Sequence, residues 1–195
     1  KLKKEGVDAL VLDLRSNGGG ALDEAIEVSG LFGGKGVVVQ QKGVSGVSLE
    51  MSYKGDIHYS GPLVLLIDRQ SASASEIIAG AIQDYERGLI VGDAHSFGKG
   101  TVQNLVNVRQ NLGALKVTIS KFYRPSGGST QQRGVSSDIV FPSVADYLEI
   151  GEKHFENVLP WDRIGPATYM NYRKVSPYIS NLRQASKERV AMNSN

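Results

Sequence analysis

The sequence contains no cysteine among its 195 residues. Disulfide frameworks, thiolate metal sites and a cysteine nucleophile are therefore excluded. Only three histidines are present, and none has neighbours at the spacing of zinc ligands. No apolar run approaches the length of a membrane span. The formal net charge is only +2 with both signs interspersed, so no nucleic-acid or membrane-surface footprint is visible.

The composition is that of a globular domain. Apolar residues make up 41% and charged residues 22%, which is enough to bury a core. The length suits one domain, or one domain with an extension. The chain begins at Lys1 and shows no signal peptide, so we expect it to be part of a longer protein.

Apolar runs alternate with helical patterns in the first 140 residues, which predicts an α/β fold with a sheet flanked by helices. Continuous apolar runs at residues 9–12 and 63–67 predict strands buried on both faces. Helices are predicted at about 22–31 and 75–85, and shorter strands at 37–40, 48–53, 89–91, 102–108 and 115–123. The last two strands should pair around a turn at 111–113.

Two of the predicted strand-to-helix junctions carry unusual residues. The first contains Gly18, Gly19 and Gly20, where bare backbone can approach a ligand, and the second contains the serine cluster 71–75. If the two loops lie side by side, N–H groups from both can converge on one oxygen and form an oxyanion hole. The alternative is that the glycines make only a tight entry to the helix. We expect Ser75 to begin the second helix and cap it.

A serine hydroxyl needs a base before it can attack a carbonyl group. Lys99 lies between Gly98 and Gly100 with no acidic neighbour, which suits an apolar pocket that favours an uncharged lysine. The alternative is an exposed loop lysine. His95 is another candidate base, with Asp84 or Asp93 to orient it.

Five motifs in this order carry a family resemblance. They lie at residues 12–20, 71–77, 83–85, 97–103 and 134–139. Together they resemble the carboxyl-terminal processing peptidases, also called tail-specific proteases. Residues 151–153 and 159–162 are similar to the large periplasmic branch of gram-negative bacteria.

The resemblance implies a crotonase-like or Clp-protease-like α/β core and a serine endopeptidase with a Ser–Lys dyad. Ser73 matches the nucleophile, Lys99 the general base, and Gln103 the residue that orients the lysine. The backbone N–H groups of Gly20 and Ala74 match the oxyanion hole.

Asp84 matches an acidic residue that supports the site. The loop of residues 93–96 is one residue longer than is usual before the Phe-Gly-Lys motif, which leaves the role of His95 open. The pattern from residue 143 to 195 is helical with breaks at prolines 160, 166 and 177, which predicts a protease core at 1–142 and a helical C-terminal extension at 143–195. The PDZ domain and the N-terminal helical region of the family lie outside this sequence, so we expect the isolated chain to cleave poorly.

The resemblance also implies the partners and the location. The substrates would be polypeptides with accessible C-termini that the enzyme recognises by their tails, and an adaptor or activator protein is a candidate partner. No metal, nucleotide or other cofactor is needed, nucleic acid is not a partner, and association of the parent protein with a membrane is not indicated. The location would be the periplasm or cell envelope. The alternative is a catalytically silent peptide-binding or scaffold module of the same fold.

Overall fold

A computed structural model describes residues 5–53, 55–109 and 112–193, and contains strands and helices in alternation. They are β1 (Leu10–Asp13), α1 (Leu22–Gly33), β2 (Gly36–Gly43), β3 (Gly46–Ser52), β4 (Leu63–Ile67), α2 (Ala74–Asp84), β5 (Leu89–Gly92), β6 (Thr101–Asn107), β7 (Ala114–Tyr123), β8 (Ile139–Val140) and α3 (Ile179–Met192). Within the described ranges, no helix has the length and apolar character required to cross a membrane.

The strands form two four-stranded sheets. The first is parallel with the order β1-β4-β5-β8, and the second is antiparallel with the order β3-β2-β7-β6. Helices α1 and α2 pack against each other, and one hydrophobic core joins their buried faces to both sheets. The predicted α/β fold and the antiparallel pairing of β6 with β7 are confirmed. The predicted turn at 111–113 lies partly outside the described residues.

The parallel pairing of β1 with β4 sets the position of the two unusual junctions. Leu10 pairs with Leu63 and Asp13 with Leu66, so both strands end at the same edge of the sheet. The loops that follow are joined directly, since the Ala72 N–H donates to the Asn17 carbonyl oxygen at 3.1 Å. The glycine loop and the serine cluster therefore lie side by side.

One prediction about the sheet was wrong. Strand β1 is not buried on both faces, because Val11 is 59% exposed. The strand lies at the edge of the parallel sheet, and only Leu10 and Leu12 pack against the core. An apolar run alone cannot distinguish an edge strand from a central one.

The pattern after residue 143 predicted helix over a longer range than the structure shows. The helical parts are α3 and two short 3₁₀ turns, Val144–Tyr147 and Glu152–His154. Residues 155–178 are irregular, because prolines at 160, 166 and 177 remove helical N–H donors.

The irregular segment forms hydrogen bonds to the core. The Tyr172 N–H donates to the Tyr85 carbonyl oxygen at 2.8 Å, and the Tyr172 hydroxyl donates to the Gly33 carbonyl oxygen at 2.8 Å. These bonds fix the segment at the C-terminal ends of α1 and α2.

Candidate active site

Ser73 immediately precedes α2 and has an unusual backbone conformation. Its φ of 58° and ψ of −115° lie in a region that residues with a side chain rarely adopt. Such a conformation costs on the order of 1–3 kcal/mol and persists only where the surrounding structure enforces it. A strained serine at a sharp strand-to-helix turn is the arrangement that exposes a nucleophilic hydroxyl beside the free N–H groups of a helix start.

The other two serines of the cluster serve the structure. Ser71 is fully buried and donates its hydroxyl to the Leu14 carbonyl oxygen at 2.8 Å. Ser75 is buried as well and donates to the Asn17 carbonyl oxygen at 3.0 Å. The expectation that Ser75 caps α2 was wrong, because the helix begins at Ala74 and Ser73 is its N-cap residue. Of the three serines, only Ser73 is partly exposed.

Glu76 connects the serine turn to the lysine loop. Its carboxylate is fully buried in the first turn of α2. One oxygen, Oε2, accepts the backbone N–H of Ser73 and the backbone N–H of Lys99, both at 2.9 Å. Because both bonds end on the same oxygen, the backbone nitrogens of Ser73 and Lys99 lie close together. The other oxygen, Oε1, accepts the Ser96 hydroxyl at 2.6 Å and the Gly98 N–H at 2.7 Å.

The environment of Glu76 affects its charge. Burial raises the pKa of the carboxyl group to about 7, and the hydrogen bonds that it accepts oppose this rise. The four donors at its two oxygens favour the ionised form, but burial outweighs them, so the folded protein binds the proton of this carboxyl more tightly than the unfolded chain does.

Lys99 is half-buried in the loop between β5 and β6. The backbones of Gly98 and Gly100, on either side of Lys99, form hydrogen bonds to Gln132 and Gln131. The Gly98 carbonyl oxygen accepts the Gln132 N–H at 2.7 Å, and the Gly100 N–H donates to the Gln131 Oε1 atom at 2.8 Å. The loop therefore has a defined path on both sides of the lysine.

The glycine loop after β1 lies directly against Ser73. A Cβ atom at Gly19 would lie 2.8 Å from the Ser73 Cβ and 2.9 Å from the Ala74 nitrogen, and the Gly19 φ of +102° also disfavours a side chain. Gly20 is the next residue along the chain. This arrangement suits the predicted oxyanion hole, whose donors stay a prediction.

The two predicted supporting residues, Gln103 and Asp84, lie on different elements of the fold. Gln103 lies on β6, paired with Thr118 next to a shift in strand register, and its contact with Lys99 stays a prediction. Asp84 lies at the opposite end of α2, where its carboxylate forms an ion pair with Arg124 and accepts the Ser126 N–H at 2.9 Å. Its position suits a structural contribution, because it ties α2 to the loop after β7.

The partners of the His95 ring are not those of a Ser–His–Asp triad. Its Nε2 lies 2.6 Å from the Arg69 guanidinium, and its Nδ1 lies 2.6 Å from the Ser96 carbonyl oxygen. Asp93 instead accepts the Arg69 N–H at 2.8 Å. Burial also lowers the pKa of the His95 ring. Neither Asp84 nor Asp93 binds the ring, so the arrangement does not favour the His95 alternative.

Glu76 is the site residue that the sequence analysis missed. Its position three residues after Ser73 matches the Ser-x-x-Glu capping box, which is a readable signal. The sequence carries no signal for the hydrogen bonds from Ser96, Gly98 and Lys99, because these residues lie 20 or more positions from Glu76 along the chain.

The first prediction concerns Gly19. Gly19→Ala should slow labelling of Ser73 by a serine-directed fluorophosphonate about 100-fold, since its methyl group would displace the serine or the Ala74 N–H. Gly18→Ala is the matched control, because open space surrounds that position. Equal labelling rates in the two variants would show that the close packing at Gly19 does not matter.

The second prediction concerns the pH dependence of stability. A carboxyl that titrates near 7 when folded and near 4.5 when unfolded binds its proton more tightly in the folded state. The free energy of unfolding should therefore fall by about 3 kcal/mol as the pH rises from 4.5 to 7, and level off above. Glu76→Gln should lose this slope.

Urea unfolding of the two proteins across this pH range measures the effect. Glu24→Gln, which changes an exposed glutamate in the first turn of α1, is the control and should keep the slope. A Glu76→Gln slope equal to that of the wild type would contradict the prediction.

Comparison with known proteins identifies the family of this chain. Residues 1–141 match the family model described as peptidase family S41, and residues 145–195 match the model of the C-terminal domain of tail specific protease. The tail-specific protease of Haemophilus influenzae is 46% identical over 189 residues, which cover 93% of this chain and 27% of that protein. The carboxy-terminal-processing protease of Bartonella bacilliformis is 44% identical over 142 residues, which cover 72% of this chain and 32% of that protein.

A solved structure supports the same conclusion. The photosystem II D1 C-terminal processing protease is 36% identical, with a TM-score of 0.66 over 72% of this chain and 36% of that protein. The chain spans about a quarter to a third of the length of the curated relatives it matches. The predicted resemblance is confirmed: this chain belongs to peptidase family S41.

Proposed function

We propose that this chain carries the catalytic core of a serine endopeptidase that uses a Ser73–Lys99 dyad. The Ser73 hydroxyl attacks a peptide carbonyl carbon while Lys99 takes its proton and then returns it to the leaving amine. Water, activated by the same lysine, then hydrolyses the acyl-enzyme. The observation that carries the proposal is the shared oxygen of Glu76, which holds the backbones of both residues.

The oxyanion of the tetrahedral intermediate needs donors that are already in place. The Gly20 and Ala74 N–H groups are the proposed pair, because Gly19 packs against Ser73 and Ala74. Each donor of this kind contributes about 3–4 kcal/mol to the stabilisation of the transition state.

The substrates are polypeptides, as membership of a peptidase family implies. Recognition of the substrate by its C-terminal tail is a further proposal, which the names of the relatives support. An adaptor or activator protein and a location in the periplasm or cell envelope are proposed from the resemblance of residues 151–153 and 159–162 to the periplasmic branch of the family.

The third prediction identifies the nucleophile. Ser73→Ala in the whole protein should abolish cleavage of an unfolded substrate without loss of the fold, although loss of the N-cap side chain should cost about 1 kcal/mol of stability. Ser75→Ala should keep the nucleophile and lose about 1 kcal/mol of stability with its hydrogen bond to Asn17. Cleavage by Ser73→Ala at the wild-type rate would refute the assignment. A wild type as inactive as Ser73→Ala that still binds peptide would indicate the silent module instead.

The fourth prediction identifies the base. Lys99→Ala and Lys99→Arg should both be inactive, because an arginine side chain does not lose its proton in proteins. His95→Ala should cleave at close to the wild-type rate, since its ring nitrogens face Arg69 and Ser96. Initial rates on one unfolded substrate test both statements. The reverse pattern would establish a histidine base.

A further inference from the structure

Residues 151–164, here called the clamp segment, contact the lysine loop before Lys99. The Glu152 N–H donates to the Phe97 carbonyl oxygen at 3.0 Å. The rings of Phe97 and Phe155 also meet, with centroids 6.0 Å apart. The clamp segment thus holds the residue two positions before the lysine by its backbone and by its side chain.

A buried glutamine links the clamp segment to the residue after Lys99. Gln131 is fully buried, and its Oε1 accepts the Gly100 N–H at 2.8 Å. Its amide nitrogen donates to the Glu152 carboxylate at 3.4 Å. Glu152 therefore reaches both sides of the lysine, through its backbone on one side and its side chain on the other.

The loop that carries Gln131 is itself fastened to the clamp segment. The Ser129 N–H donates to the Asp162 carbonyl oxygen at 3.1 Å, and the Ile164 N–H donates to the Gly127 carbonyl oxygen at 2.9 Å. The indole N–H of Trp161 donates to the Ser129 carbonyl oxygen at 2.8 Å.

Trp161 also contacts Arg133, near the C-terminal end of the loop at 127–134. The Arg133 guanidinium lies 3.7 Å from the centre of the indole ring, which is close enough for a cation–π contact. The adjacent Gln132 N–H donates to the Gly98 carbonyl oxygen at 2.7 Å. Movement of the indole would therefore be transmitted through two neighbouring residues to the lysine loop.

The lysine loop needs an external restraint. Lys99 lies between two glycines, and glycine loses more conformational freedom on ordering than any other residue. A general base must nevertheless be held within about 0.5 Å of its productive position. The contacts to Glu76 fix Gly98 and Lys99. Gly100 is held by the loop at 127–134 and by β7, where the Phe122 N–H donates to the Gly100 carbonyl oxygen at 2.9 Å.

We propose that the clamp segment positions Lys99 for catalysis, with Trp161 and Glu152 as its positioning residues. The proposal rests on the Ser73–Lys99 dyad described above. It gives the region beyond the protease core a role in the chemical step, since the clamp segment lies within the match to the C-terminal domain of tail specific protease. Neither residue touches the substrate in this scheme, because both act through the backbone of residues 97–100.

The test compares two variants that each remove one hydrogen bond from the region beyond the core to a backbone carbonyl oxygen. Trp161→Phe removes the bond to Ser129 and keeps an aromatic ring beneath Arg133, while Tyr172→Phe removes the bond to Gly33. Steady-state cleavage by the whole protein should show about a 10-fold lower kcat and an unchanged KM for Trp161→Phe. Tyr172→Phe should keep the wild-type kcat.

Glu152 provides a second comparison. Glu152→Ala should lower kcat, and Glu152→Gln should restore it, because an amide oxygen can still accept the Gln131 N–H. A kcat of Glu152→Gln as low as that of Glu152→Ala would overturn the role of this acceptor.

Hydrogen exchange of the amides at 98–100 gives a readout that does not depend on activity. Exchange should be about 10-fold faster in Trp161→Phe and unchanged in Tyr172→Phe. The proposal is overturned if the two variants match in kcat or in exchange. A wild type no more active than Ser73→Ala would refute the proposed function, and the exchange rates alone would then decide whether the clamp segment orders the loop.

Discussion

The buried carboxylate of Glu76 is the interaction on which the site depends. Four donors from two separate segments converge on it, and two of those donors are the backbone N–H groups of Ser73 and Lys99. A buried charge is tolerated only when its hydrogen bonds are made, so the group favours one arrangement of both loops. The strained conformation of Ser73 is supported by the same bond.

The fold brings these segments together through the order of the parallel sheet. Strands β1 and β4 are neighbours, so the glycine loop and the serine turn emerge at one edge. Strand β5 follows β4 in the sheet, and the loop after β5 carries the lysine. Three neighbouring strands thus bring the glycine loop, Ser73 and the lysine loop to the same edge of the sheet, as expected for a site at the carboxyl ends of parallel strands.

The region after the predicted protease core forms hydrogen bonds to both the helices and the loops next to Lys99. Glu152, in a 3₁₀ turn of this region, bonds to Phe97 beside the lysine. The irregular part that follows bonds to the C-terminal ends of α1 and α2 through Tyr172 and to the loop at 127–134 through Trp161. Prolines keep this stretch from forming a helix and leave its backbone groups free to bond elsewhere. An irregular segment can follow the contour of a loop in a way that a straight helix cannot.

The sequence by itself determined the α/β alternation, the positions of most strands and helices, and the family, because apolar periodicity and motif order are local properties. It also singled out Ser73 and Lys99. Burial at the edge strand β1 and the N-cap at Ser73 were decided by tertiary structure. The contacts of Glu76 and Trp161 were also decided by tertiary structure, since each joins segments that only the packed fold brings within hydrogen-bond distance.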